Sequence, residues 1–430
     1  MRRVSKSLHF LLCVAFVALA LPHIANAQDV LRGHGGPVRA LAVNGAAREL
    51  VSGSFDSTVI VWDLERSAAK RVLRFHDGAV DAVAALPGGC LASGGEDKRI
   101  AIWCGAADKP TRVLEGHEAP ITALAPAGHM LVSASFDGSV RVWDYAGTRP
   151  VETLHHHKGA ATALGVVPIG QEIVSAGADG ALLRGSSGAG RRAGAITPVT
   201  KLAVSPDGDI VTASADGHVR IISGEMQVVS DIEVDAIPLA SLALSPNGRL
   251  IATAGLRGGI AIIDRASRRI MHRLTGPGLP VWSLTFDSDS RTLISGGADR
   301  VIRRWDAVAG TALTSTVPER DVVAEAAASG ERGAVVFRAC QACHTLSADG
   351  GNRAGPTLHG VLGRRIGTAP GYVYSEALPR MSIVWSKETV AKLFEVGPNA
   401  YTPGTKMPEQ TINDPVDRRA LVDWLERVTK

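Results

Sequence analysis

The sequence predicts a multidomain chain, an all-β seven-bladed propeller followed by a small all-α domain. Three observations carry this. A block of roughly fourteen residues returns seven times at intervals of about forty. An Asp/Gly-type turn sits in the middle of the blocks, between two alternating runs. Past residue 330 that alternation gives way to helical spacing. The length of 430 residues suits one large β domain and one small neighbour.

The first element is an export signal. "MRRVSKSLHFLLCVAFVALALPHIANAQ" has a basic start (Arg2, Arg3, Lys6), an apolar run and the small-residue pattern Ala25, Asn26, Ala27. These define a signal peptide over residues 1–27, cut before Gln28. A membrane-spanning helix needs about 20 apolar residues, more than this run supplies, so no span is expected after cleavage. Loss of the three basic residues takes the formal charge from +4 to +1. With no long Lys/Arg run, nucleic acid is not an expected partner. Cys90, Cys104, Cys340 and Cys343 remain, in an exported and oxidising compartment.

The repeat comes next. It reads "LVSGSFDSTVIVWD" from Leu50, "LASGGEDKRIAIWC" from Leu91, "LVSASFDGSVRVWD" from Leu131 and "IVSAGADGALLRGS" from Ile173. It continues as "IVTASADGHVRIIS" from Ile210, "IATAGLRGGIAIID" from Ile251 and "LISGGADRVIRRWD" from Leu293. Six copies place an acid at the turn (Asp56, Asp97, Asp137, Asp179, Asp216, Asp299), and Arg257 stands there in the other. Two strands from the block, with one apolar segment before and one after, make the four strands of a propeller blade.

Gly33, His34, Asp56, Trp62 and Asp63, and again Gly116, His117, Asp137, Trp143 and Asp144, resemble the marks of the WD-repeat family. The resemblance covers residues 28–316. It implies that His, a hydroxyl, Asp and Trp hydrogen-bond within a blade and are structural. Gly185, Ile222 and Ile263 stand at the Trp position with no Gly-His pair ahead of them, so those blades are expected to rest on apolar packing alone. "DVLRG" from Asp29 and "TALTST" from Thr311 compete for the outer strand that closes the ring. "HHHK" from His155 is either a metal-binding run or a loop, and alternation of adjacent side chains favours the loop. Cys90 and Cys104 flank one hairpin. They form a disulfide or remain two separate thiols, according to register parity.

After a span expected as linker, residues 317–329, "GAVVFRAC" from Gly333 and "DRRALVDWLERV" from Asp417 read as helices. Between them, Cys340, Gln341, Ala342, Cys343 and His344 form the pattern for covalent attachment of c-type haem. Two thiols on one helical turn reach two vinyl groups of a porphyrin, and the adjacent His faces the iron. Half a zinc site and a redox dithiol are the competing readings, and neither accounts for His344.

"GPTLHGVLGRRIG" from Gly355, "GYVYSEAL" from Gly371, Trp385 and "YTPGTKMPE" from Tyr401 follow in the order of a class I cytochrome c, and the resemblance covers residues 330–430. It implies haem c, one group held by Cys340 and Cys343, with His344 and Met407 as axial ligands. The Pro356 carbonyl would accept from His344. Tyr374, Trp385 and Arg364 would surround a haem propionate, while Gly333 and Phe337 form the crossing of the terminal helices. Met407 in another setting would be an ordinary core residue. Leu378 and Phe394 replace the Asn and Tyr of many relatives, which removes polar groups near the haem.

Two axial side chains leave the iron no open position, so the site suits outer-sphere electron transfer rather than catalysis. The expected function is that of a periplasmic mono-haem electron carrier. Redox proteins are its partners, and the propeller docks a protein partner. The alternatives are a periplasmic oxidoreductase with an active site in the propeller and a haem-based redox sensor. Basic residues exceed acidic ones only 13 to 10 over residues 330–430, so strong steering toward an acidic partner is not expected.

Overall fold

A computed structural model describes residues 30–45, 48–145, 150–168, 170–185, 191–193, 197–313, 322–341, 343–347, 352–353, 355–370, 372, 374–375, 377–405, 407 and 409–430. The expected signal peptide, residues 1–27, lies outside them.

Six antiparallel sheets each take four consecutive segments of chain, and the seventh has five strands, one of them borrowed from the N-terminal end of the propeller. The first blade comprises Val38–Asn44, Glu49–Ser54, Thr58–Asp63 and Ala68–Arg74. The first strands of successive blades pack in order, and that of the seventh packs on that of the first, so the ring closes. The second and third strands read as nearly continuous apolar runs because neighbouring blades cover both their faces. The turn between them shares one backbone feature in all seven blades. The residue after the turn acid or Arg257 has a left-handed backbone, at Ser57, Lys98, Gly138, Gly180, Gly217, Gly258 and Arg300, which is why Gly recurs there.

Each first strand also carries a bulge at the same place. Bulges re-aim side chains, and here the displaced residues bond across blades. Arg39 Nε donates to Asp81 Oδ1 at 3.0 Å, and the Thr122 and Thr162 hydroxyls donate to carbonyls of the next blade, each at 2.5 Å.

Both candidates for the closing strand are used. Leu31–Arg32 pairs with Ile302 and Val301, while Thr311–Ala312 pairs with Asp306 and Trp305 on the same strand, Val301–Asp306. The N-terminal segment takes one end of that edge and the C-terminal segment the other, so the competition ends in a division.

In the first three blades the His, hydroxyl, Asp and Trp network is complete. His34 Nδ1 donates to Asp56 at 3.1 Å, its Nε2 accepts from Ser52 at 2.7 Å, and Trp62 Nε1 donates to Ser52 at 2.8 Å. His76, Asp97, Ser93 and Trp103 repeat the arrangement, as do His117, Asp137, Ser133 and Trp143. Burial opposes the Asp56 charge, but His34 and Thr58 outweigh it and hold the carboxyl at about 2.

The expectation that the middle blades rely on apolar packing alone is corrected for two of them. His157 bonds Asp179 at 3.1 Å and Ser175 at 2.9 Å although Gly185 replaces the Trp. Thr197 and Arg220 both donate to Asp216 in the fifth blade. The last histidine of "HHHK" is therefore a blade histidine. Leu91 pairs with Trp103, which puts Cys90 opposite Cys104, and the two form a disulfide with Cα atoms 4.3 Å apart.

The helical domain holds α1 (Val322–Ala328), α2 (Arg332–Phe337), α3 (Lys387–Val396), α4 (Pro398–Tyr401) and α5 (Pro415–Val428). The span expected as linker thus contains a helix. Buried Val323, with Ala326 and Ala327, joins the core formed by α2, α3 and α5. Helices α2 and α5 cross at Gly333, where any β-carbon would overlap the Ala420 carbonyl and Trp424. Beside that crossing the Phe337 and Trp424 rings lie 5.1 Å apart. The α3 N-terminus is capped by Ser386, whose hydroxyl accepts from Thr389.

Candidate haem site

Helical hydrogen bonding runs past α2 into the cysteine motif. Gln341 N bonds Phe337 O at 3.1 Å, and His344 N bonds Cys340 O at 3.0 Å. Cys340 and Cys343 therefore stand one turn apart on one face. They are free thiols, and burial pushes Cys340 up to about 12 and Cys343 up to about 11. A redox dithiol works instead through a stabilised thiolate. Among the described residues no group of three or more His, Cys, Asp or Glu is placed to hold a metal ion.

His344 Nδ1 donates to the Pro356 carbonyl at 2.7 Å, the partner expected from the sequence. That bond fixes the tautomer with its proton on Nδ1 and leaves Nε2 as the lone-pair nitrogen. Burial lowers the imidazole pKa, which keeps the ring neutral. Gly355 makes the arrangement possible, because a side chain there would overlap the imidazole ring. The same loop is tied down by Gly355 N to Cys343 O at 2.8 Å and Leu358 N to Thr345 O at 2.8 Å.

These groups open into a cavity of about 440 Å³, which Met407 also lines. Its apolar walls include Phe337, Leu358, Ile366, Leu393, Phe394 and Leu425. Leu378 and Phe394, the two apolar replacements, both face it. Met407 is presented by a loop in which its N–H donates to Thr405 Oγ1 at 3.1 Å. Arg364, Tyr374 and Trp385 line the cavity too. Two backbone bonds join Gly363 and Arg364 to Trp385, with Trp385 N to Arg364 O at 2.9 Å and Gly363 N to Trp385 O at 2.8 Å. Arg364 gives Nη1 to His359 O and Nη2 to Thr357 O. Tyr374 Oη accepts from Ala369 N at 3.4 Å. All eight sequence-predicted residues thus line or border one cavity.

The donor set fits haem c: two thiols one turn apart, a neutral imidazole with one free nitrogen, a thioether and apolar walls. Sequence reasoning missed Gly35, Asp56, Thr58 and Arg74, which line the cavity from the first blade. It also missed Tyr372, whose ring lies 4.9 Å from the Arg74 guanidinium. Of these, Asp56 alone was legible, as a repeat mark, and no local signal marks Gly35 or Arg74.

Fold and site together define a WD-type propeller fused to a c-type cytochrome domain. The family "WD domain, G-beta repeat" matches residues 26–63, 68–104, 108–144, 193–223 and 268–306, and the family "Cytochrome c" matches residues 330–429. Cytochrome c of Cochliobolus lunatus is 42% identical over 101 residues, 23% of this chain and 93% of that protein. Cytochrome c of Arabidopsis thaliana is 42% identical over 101 residues, 23% of this chain and 89% of its own length. For Kluyveromyces lactis cytochrome c the figures are 37% over 103 residues, 24% and 93%. Through its C-terminal domain the chain belongs to the cytochrome c family, and its cofactor is covalently bound haem c.

Proposed function

We propose that this protein is an exported, mono-haem, one-electron carrier of the periplasm whose propeller docks the partner it serves. The observation that carries this reading is the pairing of His344, oriented by Pro356 at 2.7 Å, with Met407 in one cavity. Cys340 and Cys343 supply the thioether attachments. His344 would offer Nε2 and Met407 its sulfur to the iron, and ligation by both would leave no position there for a substrate. Bound there, haem c supplies a ferric–ferrous couple. The Met407 thioether favours the ferrous side of that couple, and the apolar walls, Leu378 and Phe394 among them, act in the same direction. Tyr374, Trp385 and Arg364 are assigned to a propionate. Support for a docking role comes from the WD-repeat match, since such repeats suggest protein interaction.

Replacing Met407 with Ala should abolish the sulfur-to-iron charge-transfer band of the ferric protein. A band that persists would sink the ligand assignment. Export with cleavage predicts a mature protein starting at Gln28, and N-terminal sequencing of periplasmic material that returned Met1 would refute it.

A further inference from the structure

The haem cavity is not closed by the cytochrome domain alone. Gly35, Asp56, Thr58 and Arg74 of the first blade form part of its wall. The contact is close: a β-carbon on Gly35 would overlap Cys343 Sγ, whereas its next neighbour, Asp56, would be a comfortable 3.8 Å away. Arg74, at the end of the blade's outer strand, lies over the Tyr372 ring with its guanidinium carbon 4.9 Å from the centroid.

Two guanidinium groups line the cavity, and they differ in what their donors do. Arg364 has Nη1 and Nη2 committed to backbone carbonyls. Among the described residues Arg74 has one bond, 3.4 Å from Nη1 to Val72 O, and its Nη2 is buried without a hydrogen-bond partner. Ser375 Oγ, on the same cavity wall, is also buried and without a partner among the described residues. A buried cationic donor without an acceptor is costly, and guanidinium pairs best with carboxylate. Haem carries two carboxylates.

We propose that Arg74 is a haem-binding residue contributed by the propeller, its Nη2 donating to a haem carboxylate, so that the first blade completes the cofactor site. This rests on haem occupying the cavity and not on what the protein does with its electron. The glycine at 35 is what lets the blade come close enough.

The test is the reduction potential of the full-length holoprotein, with Arg74→Gln, Arg74→Lys and Gly35→Ala compared at equal haem content and thermal midpoint. A cation beside the haem stabilises the ferrous form. Arg74→Gln should therefore lower the equilibrium constant for reduction about threefold, near 30 mV at ~59 mV per tenfold for one electron. Arg74→Lys should recover part of the loss. Gly35→Ala, which strains only the contact between domains, should shift the potential in the same direction and speed amide exchange over residues 54–58. Unchanged potentials in the Arg74→Gln and Gly35→Ala proteins would overturn the assignment. Unchanged exchange in Gly35→Ala would overturn the blade contact itself. Neither readout involves electron delivery to a partner, so a failure of the electron-carrier reading would be seen separately.

Discussion

The propeller and the cytochrome domain both bury histidines, and they treat the two ring nitrogens differently. His34, His76, His117 and His157 each have Nδ1 bonded to an aspartate and Nε2 to a serine. With both nitrogens occupied, such a ring has nothing left for a ligand, and its contribution is to hold a turn against a strand. His344 has Nδ1 bonded to Pro356 O, and no protein partner is found for Nε2 among the described residues. A buried imidazole with one satisfied nitrogen and one free is organised for coordination. The environments differ to match. Asp56 and Asp97 carry charge beside their histidines, each held at about 2 against the opposing effect of burial. His344 is bonded to a neutral carbonyl, and the only charges acting on it, from Arg353 and Arg74 among the described residues, disfavour its protonation.

The largest expected effect tests this contrast directly. His344→Ala should abolish the low-spin absorption spectrum of the haem while the circular dichroism of the propeller strands is kept. A normal low-spin spectrum would mean that some other group is the proximal ligand. A smaller effect is expected from Ser133→Ala in the third blade, which leaves His117 Nε2 and Trp143 Nε1 both unpaired. At roughly 1–3 kcal/mol per stranded buried group, it should cost about 3 kcal/mol in denaturant unfolding without moving the haem spectrum. The smallest is expected from Ser175→Ala in the fourth blade, where His157 loses its serine partner and Gly185 replaces the Trp. That variant should cost about half as much as Ser133→Ala. Equal losses at the two sites would show that the Trp bond contributes nothing to the network.

Much of this was legible in the chain because it rests on local chemistry. The left-handed position after each turn Asp, the seven alternating hairpins and the Cys-x-x-Cys-His turn are each decided within a few residues, and they appear where expected. His76 and His157 were harder to read. Phe75 and His156 precede them instead of Gly, and the hydrogen bonds that identify them come from residues 17 to 22 positions further on. Helix α1 was missed because "VVAEAAA" has little amphipathic pattern of its own. Only the surface of α2 gives Val323 something to be buried against.

By itself the sequence determined the seven blades, the helical domain and the chemical groups of the haem site, since turn geometry, strand alternation and motif spacing act over short distances along the chain. Tertiary structure decided the rest. Register placed Cys90 opposite Cys104, ring closure divided one strand edge between the two ends of the propeller, and packing between domains brought Arg74 and Gly35 to a cavity whose cysteines lie nearly three hundred residues away. The physical reason is shared: each outcome depends on which surfaces meet once both are folded, and no residue carries that information in its immediate neighbours.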